Sequence, residues 1–233
     1  HYIRLAKNLG GAGGFKEGMR RAAEAGNDWC WIMDDDVIPE QDALQGLLDA
    51  HSYLASKDIA PSYLASCVYG PHGEVMNVPN ISRHVSQNGY ADWCEHLPQG
   101  LVRIGSATFV SLLISVAAMR EVGLPIADYF LWGDDAEYTT RLVSYYGPAY
   151  VCGASRVVHM RSASRALSTE EETDAKRVEN RRRAIRNELI NTSYYDGLAK
   201  TVRRITRRTR ECGHILLHAH ELKMKKVRAI SGL

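Results

Sequence analysis

The chain alternates between two hydrophobic rhythms, one with the period of a strand and one with the period of a helix. Tyr2-Ile3-Arg4-Leu5 reads as a strand, and a glycine-rich turn, Asn8-Leu9-Gly10-Gly11-Ala12-Gly13-Gly14-Phe15, follows it. A helix is predicted over Lys16 to Ala25, stopped by Gly26-Asn27. Trp29 to Met33 is an apolar run of strand length that ends abruptly in Asp34-Asp35-Asp36. Pro39 is expected to open a helix with Leu44, Leu47, Leu48 and His51 at helical spacing. Tyr63 to Tyr69 is the next strand. Pro71 to Gln99, rich in Gly, Pro, Asn, His and Ser, reads as a long surface excursion, and loops of that length in a compact domain are usually functional. Further on, the pattern predicts a buried strand over Phe109 to Ile114 and a short helix over Val116 to Val122. A helix over Asp134 to Tyr146, stopped by Gly147-Pro148, precedes one or two strands from Tyr150 to Val158, ending at His159. This alternation argues for an α/β sheet with helices on both faces. From about Glu170 the chain is charged and helical without strand signals, so residues 1–165 are expected to form the core and 166–233 a basic helical C-terminal extension.

Composition changes this picture in two ways. At 233 residues, with 45% hydrophobic and 24% charged positions, the chain is an ordinary globular one, which excludes a disordered tail or a disulfide-stapled miniature. Its five cysteines show no CxxC pair and read as reduced thiols of a cytoplasmic protein. The net charge of +2 hides an asymmetry: residues 1–175 hold 13 Lys+Arg against 22 Asp+Glu, and residues 176–233 hold 16 against 5. An acidic body therefore carries a basic end. That end has the clusters Arg181-Arg182-Arg183, Arg203-Arg204, Arg207-Arg208 and Lys225-Lys226, with Ile185, Leu189, Val202, Ile205, Leu216 and Leu217 interspersed. It reads either as helices packed on the acidic body or as a peripheral contact with an anionic membrane surface. No nucleic-acid recognition motif accompanies the charge, and nucleic acid is not an expected partner. The uncharged stretch from Ile104 to Met119 has 16 residues with several serines, too short and too polar for a spanning helix of ~20.

Three segments carry candidate chemistry. Three consecutive carboxylates at a strand's carboxyl end repel one another by roughly a few kcal/mol at intermediate dielectric, and a divalent cation removes that cost. A solvated acidic turn is the plainer account. In Leu131-Trp132-Gly133-Asp134-Asp135-Ala136-Glu137, Asp134 and Glu137 have capping-box spacing, which leaves Asp135 unexplained. A carboxylate in a first helical turn is held ionised and suits a general base. His159, directly after a strand, is either a structural residue or a borderline ligand that would favour Mn²⁺ over Ca²⁺.

Taken in order, the glycine-rich segment, Asp34-Asp35-Asp36, Gly123-Leu124-Pro125, Trp132-Gly133-Asp134-Asp135-x-Glu137-Tyr138 and His159 resemble family 2 inverting glycosyltransferases of the GT-A fold. The resemblance is to the bacterial galactofuranosyl- and rhamnosyltransferase-like branch and covers roughly residues 1–165. It implies a Rossmann-like mixed sheet and transfer from a UDP- or dTDP-sugar to a hydroxyl of a cell-envelope glycan or lipid-linked acceptor. By that likeness Asp34, Asp36 and His159 would bind Mn²⁺ or Mg²⁺, with Asp34 and Asp35 near the nucleotide. Asn8, Gly10, Gly11, Gly13 and Gly14 would lie against the donor, Asp135 would be the base, and Trp132 and Asp134 would line the acceptor site. The family's two earlier strands, with a helix and a further aspartate, have no counterpart in this sequence. The expectation is therefore an N-terminally incomplete domain, inactive or weak alone, at the inner face of the plasma membrane. Two rivals stand beside it: a non-catalytic binding module, and a dinucleotide-binding dehydrogenase. The second has Lys16 where its fingerprint needs a third glycine, and three carboxylates where one ribose needs one.

Overall fold

The computed structural model describes residues 2–161, 168–218 and 222–232. In chain order the elements are α1 (Gly10–Glu24), β1 (Trp29–Met33), β2 (Val37–Pro39), α2 (Ala43–Ala55), β3 (Tyr63–Tyr69), β4 (Val75–Met76), β5 (Asn80–Ile81), β6 (Leu101–Ser106), β7 (Ser111–Ser115), α3 (Val116–Val122), α4 (Asp134–Tyr145), β8 (Ala149–His159), α5 (Ala175–Asn191), α6 (Leu198–His218) and α7 (Lys223–Ser231). They fall into two units. One comprises residues 15–125 and 135–164, the other residues 1–14, 126–134 and 165–233. The boundary expected at 165/166 lies outside the described residues.

The first unit holds an eight-stranded mixed sheet in the order β1-β7-β3-β8-β6-β5, with β2 added to β8 and β4 to β3. The β3–β8 pair is parallel and the other ladders are antiparallel. Strand periodicity sorts the core onto two faces. Tyr63, Ala65, Leu112 and Ile114 join Met19 of α1, Met119 of α3, and Tyr138 and Leu142 of α4. Leu64 and Leu113 point the other way, onto Leu47, Ala50 and Leu54 of α2. Each fully buried large side chain contributes about 1.5–3 kcal/mol, which fixes this register against a one-residue slip. Helices thus cover both faces, as the pattern predicts.

Four local expectations are corrected. Residues 2–5 form no strand: they make no ladder, and an extended segment without one has nothing to hold it. The glycine-rich segment is not a turn, because Gly10 to Gly14 are the first residues of α1, opened by Asn8 Oδ1 accepting the Gly10 N–H at 2.9 Å. Pro39 ends a three-residue strand and does not open a helix; α2 starts at Ala43 and buries Ala43, Gly46, Leu47, Ala50 and Leu54, leaving Leu44 and Leu48 exposed. The 71–99 excursion is partly ordered, with β4, β5, a Val85–Ala91 bridge and a tight turn at Leu97–Gln99. Asp92 ties it down by accepting from Arg103 at 2.5 Å and pairing with His84 at 2.6 Å.

Where β3 passes from Ser66 to Cys67 its partner on β8 jumps from Cys152 to Arg156. α2 lies against this bulge at Gly46, where an added Cβ would come within 2.9 Å of the Ala154 backbone. A polar chain fills the same region: Ser66 Oγ is 2.8 Å from Ser111 and 2.7 Å from Ser155, and Trp31 Nε1 donates to Ser111 at 3.0 Å.

In the second unit α5, α6 and α7 pack around Ile185, Ile215 and Ile230, with Leu189, Cys212 and Val227 at the margin. Glu188 of α5 accepts from Arg204 and from Arg208 of α6. Arg204 and Arg208 are thereby tied into the packing of this unit. Leu198, Val202 and Ile205 of α6 remain exposed. No described helix is long and apolar enough to cross a membrane.

Candidate active site

The carboxylate triplet sits between β1 and β2, and β2 is what gives it a partner. Val37 pairs with His159 in the β2–β8 ladder, and the Met160 N–H donates to the Asp36 carbonyl at 2.8 Å. The ladder sets a residue of position 36 beside one of position 159. One ligand atom from each of Asp34, Asp36 and His159 falls within a span of 4.8 Å, with His159 Nε2 at 3.1 Å from Asp36 Oδ1. Asp35 is exposed and outside this group. Burial pushes the Asp34 carboxyl above the usual carboxylate range; the Asp36 and Asp35 charges add to the rise, while His159 and Arg161 oppose it.

The imidazole is 5% exposed, and its other nitrogen is occupied: Nδ1 lies 2.9 Å from Asn77 Oδ1. A ring that donates from Nδ1 to a carbonyl oxygen keeps the Nε2 lone pair for a metal. Two carboxylates and an oriented imidazole form a donor set that fits a divalent cation. Asn77 was not legible in the sequence. It follows β4, whose Met76 pairs with Val68, and it adopts φ +47°, a left-handed conformation that asparagine tolerates.

Asp135 is the second residue of α4 and is half-buried, its Oδ1 accepting the Ala136 N–H at 2.7 Å. Asp134 is the first helical residue and buried, so it stands inside the helix where capping-box spacing would put it at the cap. Glu137 pairs with Arg141 at 2.8 Å, and that guanidinium also donates to the carbonyls of Val122 (2.7 Å) and Leu124 (3.1 Å). The pair anchors the first turn of α4 to the end of α3. A carboxylate held there by the helix N-terminus can accept a proton from a hydroxyl.

The segment ahead of α4 is strained. Phe130 (φ +62°), Trp132 (φ +61°) and Gly133 (φ +90°) all have positive φ, at about 1–3 kcal/mol for each of the two aromatic residues. Trp132 is half-buried, with the Arg181 guanidinium 5.3 Å from its ring centroid. Gly10 lies against the same segment: it has φ +69°, and a Cβ there would stand 2.0 Å from the Phe130 carbonyl oxygen, which accepts from the Ala12 N–H at 3.2 Å. Gly11 has only Leu131 near its Cβ position, Gly13 is crowded by Leu9, and Gly14 faces open space. Gly10 therefore has a structural requirement of its own, whatever ligand this segment meets.

The sequence profile of glycosyl transferase family 2 matches residues 1–66. The chain is 28% identical over 161 residues to galactofuranosyltransferase GlfT1 of Mycolicibacterium smegmatis, a match covering 68% of this chain and 52% of that protein. It is 27% identical over 168 residues to GlfT1 of Mycobacterium tuberculosis, covering 68% and 51%. The chain thus spans about half the length of the curated relatives it matches. A crystal structure of GalNAc-T7 with UDP, GalNAc and Mn²⁺ superposes with a TM-score of 0.59 at 12% identity, over 97% of this chain and 42% of that one. Residues 1–66 are thus similar to glycosyl transferase family 2, and the fold is of the GT-A type.

Proposed function

We propose that this chain, similar over residues 1–66 to glycosyl transferase family 2, moves a galactofuranose- or rhamnose-like sugar from a UDP- or dTDP-sugar to a hydroxyl of a cell-envelope glycan or lipid-linked acceptor. The observation that carries the reading is the convergence of Asp34, Asp36 and His159 at the carboxyl end of β1. These residues would hold Mn²⁺ or Mg²⁺, and such an ion supplies charge neutralisation at the donor's diphosphate, making it a better leaving group. Asp34 and Asp35 would lie nearest the nucleotide, with Asn8, Gly10, Gly11, Gly13 and Gly14 as further donor contacts. Asp135 takes the proton of the acceptor hydroxyl as its oxygen bonds to the anomeric carbon. The bond from that carbon to the diphosphate oxygen breaks, the nucleoside diphosphate departs, and a single displacement inverts the configuration. Trp132 and Asp134 bound the acceptor side. The peripheral, inner-face membrane location proposed here draws on Leu198, Val202 and Ile205, exposed on a helix that also carries Arg203, Arg207 and Arg210.

The test is calorimetric titration with UDP, with and without Mn²⁺. Mn²⁺-dependent binding that is lost in Asp36→Asn and His159→Ala is the expected result, with Asp135→Asn retaining binding and losing transfer. Equal loss of binding in all three would overturn the assignment of roles.

A further inference from the structure

The basic C-terminal helices contain side chains whose hydrogen bonds end on the strained segment that precedes α4. Asn187 of α5 is fully buried, and its Nδ2 donates to the carbonyls of Trp132 at 2.7 Å and Tyr129 at 3.0 Å, with Leu131 O at 3.4 Å. Its Oδ1 accepts from Arg186 Nε and Nη2 at 3.0 and 2.9 Å, and the same Nη2 donates to the Asp128 carbonyl at 2.6 Å. One turn further, Asn191 Nδ2 donates to Gly133 O at 2.9 Å, and its Oδ1 accepts from the Tyr129 hydroxyl at 2.6 Å. Residues 187 and 191 share a helix face, so one face of α5 binds the carbonyls of residues 129, 132 and 133 while Arg186 holds that of 128. Arg181 and Arg183 stack on the rings of Trp132 and Phe130, at 5.3 and 4.6 Å from the centroids.

This arrangement has a chemical reason. Positive φ at two aromatic residues persists only where the surroundings over-determine it. A buried amide with two N–H donors and an oxygen that accepts twice ties the Tyr129 and Trp132 carbonyls to the Arg186 guanidinium. Aspartate at 187 would lack the donors, leucine would lack donors and acceptor alike, and glutamine would extend the group by a methylene.

We propose that Asn187, seconded by Asn191, is a positioning residue for the acceptor side of the reaction. It fixes the backbone of Trp132 and Gly133, which runs directly into the helix whose second residue is Asp135. The inference rests on the reading of Asp135 as base and Trp132 as acceptor contact. It assigns α5 to the construction of the catalytic segment, where the sequence pattern makes it part of an appended basic extension. The cation-binding trio shares no residue with this clamp, so the two can be perturbed separately.

The experiment uses Asn187→Asp, isosteric but without the donors, and Asn191→Ser, a milder change at a half-buried position that keeps the test alive if the first variant folds poorly. Amide hydrogen exchange of the peptide spanning residues 128–135 should accelerate at least tenfold in Asn187→Asp and less in Asn191→Ser. Mn²⁺ affinity should stay within twofold, while kcat falls at least tenfold and the acceptor KM rises more than the donor KM. Unchanged exchange would show that the clamp does not hold the segment and overturns the proposal without reference to activity. Faster exchange with unaltered acceptor kinetics overturns it too. If the unaltered protein shows neither Mn²⁺-dependent UDP binding nor transfer, the functional reading fails and takes the catalytic role of Asn187 with it, and the exchange result tells that failure from an absent clamp.

Discussion

Removing the Asn77 carbonyl is the sharpest test of how the cation site is built. His159 is 5% exposed, with Nδ1 2.9 Å from Asn77 Oδ1 and Nε2 3.1 Å from Asp36. Without that acceptor the neutral ring is free to carry its proton on Nε2, the atom needed as a ligand. Outer partners of this kind contribute about 10–100-fold in metal affinity, or about 1.4–2.7 kcal/mol. An unsatisfied buried donor costs about 1–3 kcal/mol by independent reckoning, so the two figures agree. Alanine at 77 would confound the measurement, since φ of +47° adds about 1–2 kcal/mol of backbone strain. Asn77→Gly keeps the backbone and deletes the carbonyl, and Asn77→Asp keeps an acceptor. Titration with Mn²⁺ alone should show a 10–100-fold loss for Asn77→Gly and near-normal affinity for Asn77→Asp. In a His159→Ala background, Asn77→Gly should have no additional effect. A loss of equal size in that background would refute the reasoning, because Asn77 would then be acting on something other than the imidazole.

Three more outcomes are expected. Gly46→Ala forces a Cβ to 2.9 Å from the Ala154 backbone and should destabilise by about 1–3 kcal/mol, read as a lower denaturant midpoint with an unchanged slope. Burial raises Asp34, so its folded form holds a proton more tightly than its unfolded form; this stabilises at low pH and is lost as pH rises through the raised value. Asp34→Asn should therefore raise the thermal midpoint at neutral pH without metal and abolish the further rise that Mn²⁺ produces, and a lower metal-free midpoint would contradict this. Exposed Leu198, Val202 and Ile205 beside arginines should make the chain sediment with phosphatidylserine vesicles at low salt, and Val202→Asp with Ile205→Asp should abolish this; retention by phosphatidylcholine alone would argue against a charge-assisted contact.

The sequence by itself settled what depends on neighbours along the chain. Helical and strand periods placed β1, β3, α3 and α4 to within a residue or two, because burial on one face is written into adjacent side chains. A run of three carboxylates after an apolar strand, and two more at a helix start, marked out candidate sites by charge density. What the sequence left open depended on partners far away in the chain. The glycine-rich segment opens a helix in which residue 10 must be glycine because it lies against the Phe130 carbonyl, and Pro39 ends a strand because β8 offers β2 a ladder. Asp36 and His159, 123 positions apart, are adjacent only through that same ladder. Asn77 and Asn187 gave no signal at all. An asparagine in a polar stretch or on a charged helix is ordinary in any sequence, and its meaning lies in which carbonyl or imidazole the fold brings to its amide. Periodicity records the burial of a residue's own side chain, whereas a hydrogen bond across 50 or 80 residues is recorded only in three dimensions.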